Sequence, residues 1–192
     1  MANPPVDFER ARALEAVGDN ARFVDLLPQL REHKTLPAEK LAVIERKALA
    51  RAFSELGPEA GSDALADVWK ALPKSRQRDP ALQALYARAL MAANCPATAE
   101  RQLKRWLHKQ WSTELVAVYG DLHTDPPTRA YEQLTQWLRE RPEDAELLFA
   151  AGRQALHCEL WGQAKDYLQA AAARDHRPVI ARTLAELHEK LG

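Results

Sequence analysis

Small and apolar residues recur at a fixed spacing through the second half of the chain, and this recurrence constrains the fold more than any other feature. Within residues 145–178, Gly152, Ala164, Leu168 and Ala171 stand at places 8, 20, 24 and 27 of 34. In the preceding 34 residues, Ala130, Leu134 and Pro142 stand at places 20, 24 and 32, with Val118 at place 8 and Trp137 at place 27. Another 31 residues back, Ala87, Ala99, Leu103 and Trp106 align with Val118, Ala130, Leu134 and Trp137. Two antiparallel helices approach to about 8–10 Å only where small side chains meet at the crossing. Gly152 on a first helix and Ala164 on a second suit such a crossing, and Leu168 and Ala171 continue the apolar stripe. Three units in one phase predict an all-α chain of stacked helix–turn–helix repeats. Val118 and Trp137, larger than the residues at the same places of the last unit, predict a looser middle pair.

The period and the small residues at these places resemble the tetratricopeptide (TPR) repeat. The expected architecture is a right-handed helical solenoid of about 11 helices forming a single array over the whole chain. It comprises irregular repeats at 5–79, clearer repeats at 80–110, 111–144 and 145–178, and a polar capping helix at 178–190. Apolar spacing predicts helices at 5–17, stopped by Gly18, and at 20–33, interrupted at Pro28. Pro37 opens a longer one with Leu41, Ile44, Ala48, Leu49, Ala52, Phe53 and Leu56 on one face, and a shorter helix is expected at 63–72. Asp79-Pro80 combines a capping acid with proline in the first helical position. Helices are then expected at 80–94, 97–109, 112–122, 127–140, 144–158, 161–174 and 178–190, punctuated by Pro96, Pro126-Pro127, Pro142 and Pro178. No equally polar helix precedes the first repeat, so the array reads as a fragment of a longer one.

Composition narrows the function classes. The 27 basic and 27 acidic residues cancel, so no net field favours nucleic acid or an anionic membrane. No apolar run approaches a membrane span. Two cysteines in different repeats, Cys95 and Cys158, do not form a disulfide framework. The common phosphate, metal and redox motifs are absent, as is a glycine-flanked serine elbow. No enzyme, catalytic residue or metal site is expected. His157 and Cys158 are adjacent on a helix and point about 100° apart, which argues against a shared metal. The five Trp read mostly as packing, with Trp106 and Trp137 at equivalent places.

What remains is a groove. In a TPR array, places 2, 5, 9, 12 and 13 of each unit face the concave surface. Here these places supply Arg88 and Met91 from the first clear unit, Leu115, Tyr119 and His123 from the second, and Phe149, Arg153 and His157 from the third. Met91, Leu115, Tyr119 and Phe149 form the expected apolar floor. Arg88 and Arg153 share place 9 and are expected to fork onto the carboxylates of an acidic protein segment. The opposing reading pairs both arginines with neighbouring acids and leaves the groove an ordinary solvated surface.

Three stretches go beyond a generic repeat. The first runs from Leu65-Ala66-Asp67-Val68-Trp69-Lys70 through Arg78-Asp79-Pro80 to Tyr86-Ala87-Arg88. The second is Trp111-Ser112-Thr113-Glu114-Leu115-Val116 with Tyr119-Gly120, and the third Leu160-Trp161-Gly162-Gln163-Ala164-Lys165 with Tyr167-Leu168. Together they resemble the C-terminal TPR region of the bacterial HemY family. The resemblance implies a parent with two membrane spans ahead of a domain on the cytoplasmic side of the inner membrane. It also implies a non-enzymatic scaffold for late haem-biosynthesis enzymes. An unrelated flavin-dependent oxidase shares the family's name, but this chain lacks the glycine loop such an oxidase needs. Two alternatives stay open at this point. One is a haem or porphyrin carrier using Met91, Tyr119, His123 or His157 on iron or ring and Arg88 or Arg153 on propionates. The other is a TPR adaptor unrelated to haem.

Overall fold

The computed structural model describes residues 37–191 continuously, together with Glu9, Ala13, Leu14, Arg22, Leu26, Gln29 and Leu30. The remainder of the expected helices at 5–17 and 20–33, with Gly18 and Pro28, lies outside the described residues. Among the described residues the chain is all-helical, with nine α-helices between Ala38 and Leu191 and no strand. It groups into two compact units, Met1–Thr98 and Ala99–Gly192.

In the first unit, α1 (Ala38–Leu56) and α2 (Gly61–Ala71) both pack on α3 (Pro80–Ala92). Their apolar stripes meet at aromatic rings. Trp69 lies 4.8 Å from Tyr86 in a stacked arrangement, and Phe53 tilts against the same ring at 5.7 Å. α3 begins as its sequence requires: the Asp79 carboxylate accepts from the Ala81 N–H at 3.0 Å and Pro80 fills the first turn.

A buried charge ties these helices together. Glu45 is completely buried on α1, and Arg76, just ahead of α3, donates to it from Nε at 2.8 Å while also reaching Asp79 at 3.0 Å. Burial alone lowers the Arg76 pKa, but the hydrogen bonds and charges of Glu45 and Asp79 outweigh it and hold the guanidinium above its usual range. The pair thus links the middle of α1 to the start of α3.

The second unit contains most of α4 (Pro96–Lys109), with α5 (Thr113–Tyr119), α6 (Thr128–Glu140), α7 (Ala145–His157), α8 (Trp161–Ala172) and α9 (Pro178–Leu191). α7 is its hub, packed on α5, α6 and α8, and α8 packs in turn on α9. The α7–α8 crossing is as tight as its small residues predict. A Cβ placed on Gly152 would lie 2.8 Å from both Cγ and Cδ2 of Leu168. Asp144 caps α7 by accepting from the Leu147 N–H at 3.0 Å and also accepts the Trp111 indole N–H at 2.8 Å.

The helix expected at 112–122 is shorter, ending at Tyr119. α7 supplies the reason. Arg153 Nη2 donates to the Ala117 carbonyl at 2.9 Å, and Gln154 Nε2 donates to the Gly120 and Leu122 carbonyls at 3.0 and 2.7 Å. The last carbonyls of a helix need outside donors. With α7 providing them, the backbone can leave the helical path at Gly120. Gly120 also permits the approach, because a Cβ there would lie 2.6 Å from Arg153 Nη2 and 2.8 Å from Ala150 Cβ.

Candidate functional site

The second unit holds a polar pocket of about 530 Å³ where α5, α7 and α9 end. Its wall includes Asp121, His123, Arg153, Gln154, His157 and Lys190. His123 leaves the turn after α5 and His157 is the last residue of α7, so the two helix ends bring their imidazoles face to edge. The ring centroids are 4.5 Å apart at 78°. His123 Nδ1 lies 3.1 Å from the Asp121 carbonyl. A protonated Nδ1 donates there and leaves Nε2 free, the tautomer logic of an oriented histidine.

Arg153 is held from three sides. It pairs with the Asp121 carboxylate, donates to Ala117, and lies over the Phe149 ring at 4.8 Å. Arg177 lies over the same ring at 5.9 Å. Such a guanidinium acts as a clamp between α5 and α7 and has little freedom to turn toward an incoming carboxylate. Gln154 is 2% exposed, and with both amide hydrogens engaged its Oε1 finds no donor among the described residues. The pocket's chemistry rests with the exposed His123, His157 and Lys190, the exposed acid Glu159 and this buried acceptor.

The eight residues expected to form the groove therefore separate. His123, Arg153 and His157 meet in this pocket. Leu115 and Tyr119 are fully buried in α5, and Phe149 is 4% exposed beneath Arg153, so these three sit in the packing of the second unit. Tyr119 donates to Glu100 Oε1 at 3.3 Å and its ring meets Trp137 edge-on at 4.8 Å. Burial foremost, and then the Glu100 charge and hydrogen bond, raise its phenol pKa far above the ordinary range. Arg88 and Met91 belong to the first unit, where Arg88 is exposed. Reading by place grouped His123, Arg153 and His157, which line one pocket, with Leu115, Tyr119 and Phe149, which are buried. The period gives direction but not depth, so it could not distinguish floor from core.

Sequence reasoning passed over Gln154, Glu159 and Lys190, and one recurrent feature besides. Glu146, 4% exposed on α7, accepts from Arg177, which precedes α9. Glu45 and Arg76 repeat this arrangement in the first unit at the same separation of 31 residues. Glu100, 2% exposed on α4, takes Arg129 at a separation of 29 and Lys104 one turn along its own helix. A buried glutamate bound to an arginine 29–31 residues later is readable as a spacing once known, but no local motif announces it.

Among the described residues no group of three or more His, Cys, Asp or Glu is arranged to hold a metal ion. Within the pocket the His123 and His157 rings are in direct contact. No helix among the described residues is long and apolar enough to cross a membrane. No protein family model, curated protein or solved structure matches this chain.

Proposed function

We propose that this chain is a non-enzymatic protein-interaction scaffold built as a right-handed solenoid of TPR-like helix pairs. Its second unit receives a carboxylate-bearing segment of a partner at the ends of α5, α7 and α9. The observation that carries the reading is the pocket itself. Two imidazoles and the Lys190 ammonium line a polar cavity of about 530 Å³, and Arg153 and Gln154 brace it from below. The repeat assignment is supported by the glutamate–arginine pairs at 29–31 residue separations, close to one repeat length. The HemY-like stretches lead to late haem-biosynthesis enzymes at the cytoplasmic face of the bacterial inner membrane as the partners.

In the pocket, Lys190 and the imidazole N–H groups face the partner's carboxylate as charge-assisted donors. Gln154 Oε1 and Glu159 accept the N–H groups beside it. Fluorescence anisotropy with a labelled peptide rich in Asp and Glu tests this. His123→Ala/His157→Ala/Lys190→Ala is expected to weaken binding at least about tenfold, or 1.4 kcal/mol. Equal affinity in the triple variant would remove the pocket from the proposal.

The paired imidazoles favour a second reading, a carrier of haem or a porphyrin. A shift of the Soret band on adding haem, lost in His123→Ala/His157→Ala, is its signature. No spectral change at micromolar haem would eliminate it.

A further inference from the structure

The first unit contains a second cavity of different chemistry. Its volume is about 320 Å³, at the lower end of the roughly 300–1,000 Å³ of small-molecule sites. Phe53 of α1 and Leu85, Ala89 and Ala92 of α3 make it apolar, and two polar side chains join them, Ser54 and Arg88. Arg88 is exposed and makes no hydrogen bond or ion pair among the described residues. That separates it from Arg153, which occupies the same place of its repeat but is committed to Asp121 and Ala117. The Ser54 hydroxyl is likewise without a partner among the described residues. An apolar chamber with one uncommitted guanidinium and one uncommitted hydroxyl on its wall is complementary to a molecule with a short apolar body and a single anionic head.

We propose that this cavity binds a medium-chain aliphatic monocarboxylate, the chain against Phe53, Leu85 and Ala89 and the carboxylate on Arg88 and Ser54. A guanidinium donates two parallel hydrogen bonds to a carboxylate, a match an alcohol cannot make. Each methylene taken from water into the chamber tightens binding about fourfold. The volume sets an upper limit on that gain, because methylenes beyond it stay in water. The site lies within the first unit and shares no residue with the pocket at His123 and His157.

Isothermal titration of the whole chain with sodium octanoate and with octan-1-ol tests the assignment. Octanoate is expected to bind with a Kd on the order of 100 µM and octanol at least about tenfold more weakly. Arg88→Gln is expected to bring octanoate down to the octanol affinity. Ala92→Phe, a change at an exposed position, is expected to abolish binding of both by filling the chamber, with the helical circular dichroism signal unchanged. Four results would overturn the proposal: no octanoate binding at about 1 mM, equal binding of acid and alcohol, indifference to Arg88→Gln, or binding that survives Ala92→Phe. A leucine-terminated peptide that binds more tightly than octanoate would overturn the free acid as occupant in favour of a protein C-terminus.

Discussion

Arg153 illustrates how much a single residue's surroundings decide. Its place in the sequence period led to the expectation of a groove residue, from which it could serve a partner or the fold. Its bonds to Asp121 and Ala117 and its position over Phe149 assign it to the fold. Arg153→Ala is therefore expected to lower stability by about 1 kcal/mol, the usual net worth of hydrogen bonds between half-exposed groups. Arg153→Lys is expected to recover only part of this, since an ammonium lacks the forked geometry. Urea unfolding of the three proteins measures both, and an Arg153→Ala midpoint equal to the wild type would contradict the clamp. Tyr119 and Tyr131 supply a pH dependence with a definite sign. Burial is the first cause in each, raising Tyr119 far above the ordinary phenol and Tyr131, which also faces Tyr167, to about 12. Both folded-state values exceed the unfolded value of about 10. Their contribution to stability is therefore complete below about pH 10 and declines as pH rises toward the folded values. The thermal midpoint should fall across that window, and tyrosinate absorbance should lag behind that of the unfolded chain.

Helices reveal how far local sequence carries. α3 to α9 lie within a few residues of expectation because their ends are written locally: Asp79-Pro80 and Asp144 as caps, Pro96 and Pro178 as first residues. α5 departs because its end is set from outside, by Arg153 and Gln154 on a helix some 30 residues later. No pattern within 112–122 encodes that. The candidate site was legible to the same extent. Its histidines and Arg153 follow from helical period, whereas Leu115, Tyr119 and Phe149 share that period but lie deeper. The Gly152 crossing, in contrast, was readable from residue size. Gly152→Ala gains helix propensity of about 1 kcal/mol, but the added methyl meets fully buried Leu168 at 2.8 Å. Overpacking of this kind costs about 1–3 kcal/mol, so a net destabilisation is expected, read as a lower urea midpoint.

At the scale of the molecule, each compact unit is held by apolar helix crossings and by buried glutamates bound to arginines 29–31 residues later. Removing Arg76 takes a charged hydrogen-bond donor from the buried Glu45 carboxylate, at about 1–3 kcal/mol or more. Arg76→Met should therefore cost far more than Arg174→Met, whose partner Glu143 is 76% exposed. Thermal denaturation of the two variants checks the ranking, and similar midpoints would contradict it. Because the 27 cationic and 27 anionic residues cancel, the proposed partner recognition rests on a local arrangement rather than a global field. The proposal puts that arrangement at the ends of α5, α7 and α9. The most direct measurement is affinity capture from a bacterial membrane extract with two baits, the wild type and His123→Ala/His157→Ala/Lys190→Ala, with bound proteins read by mass spectrometry. The scaffold proposal predicts that late haem-biosynthesis enzymes come down with the wild type and are lost with the triple variant. Equal recovery by the two, or none by the wild type, would contradict it.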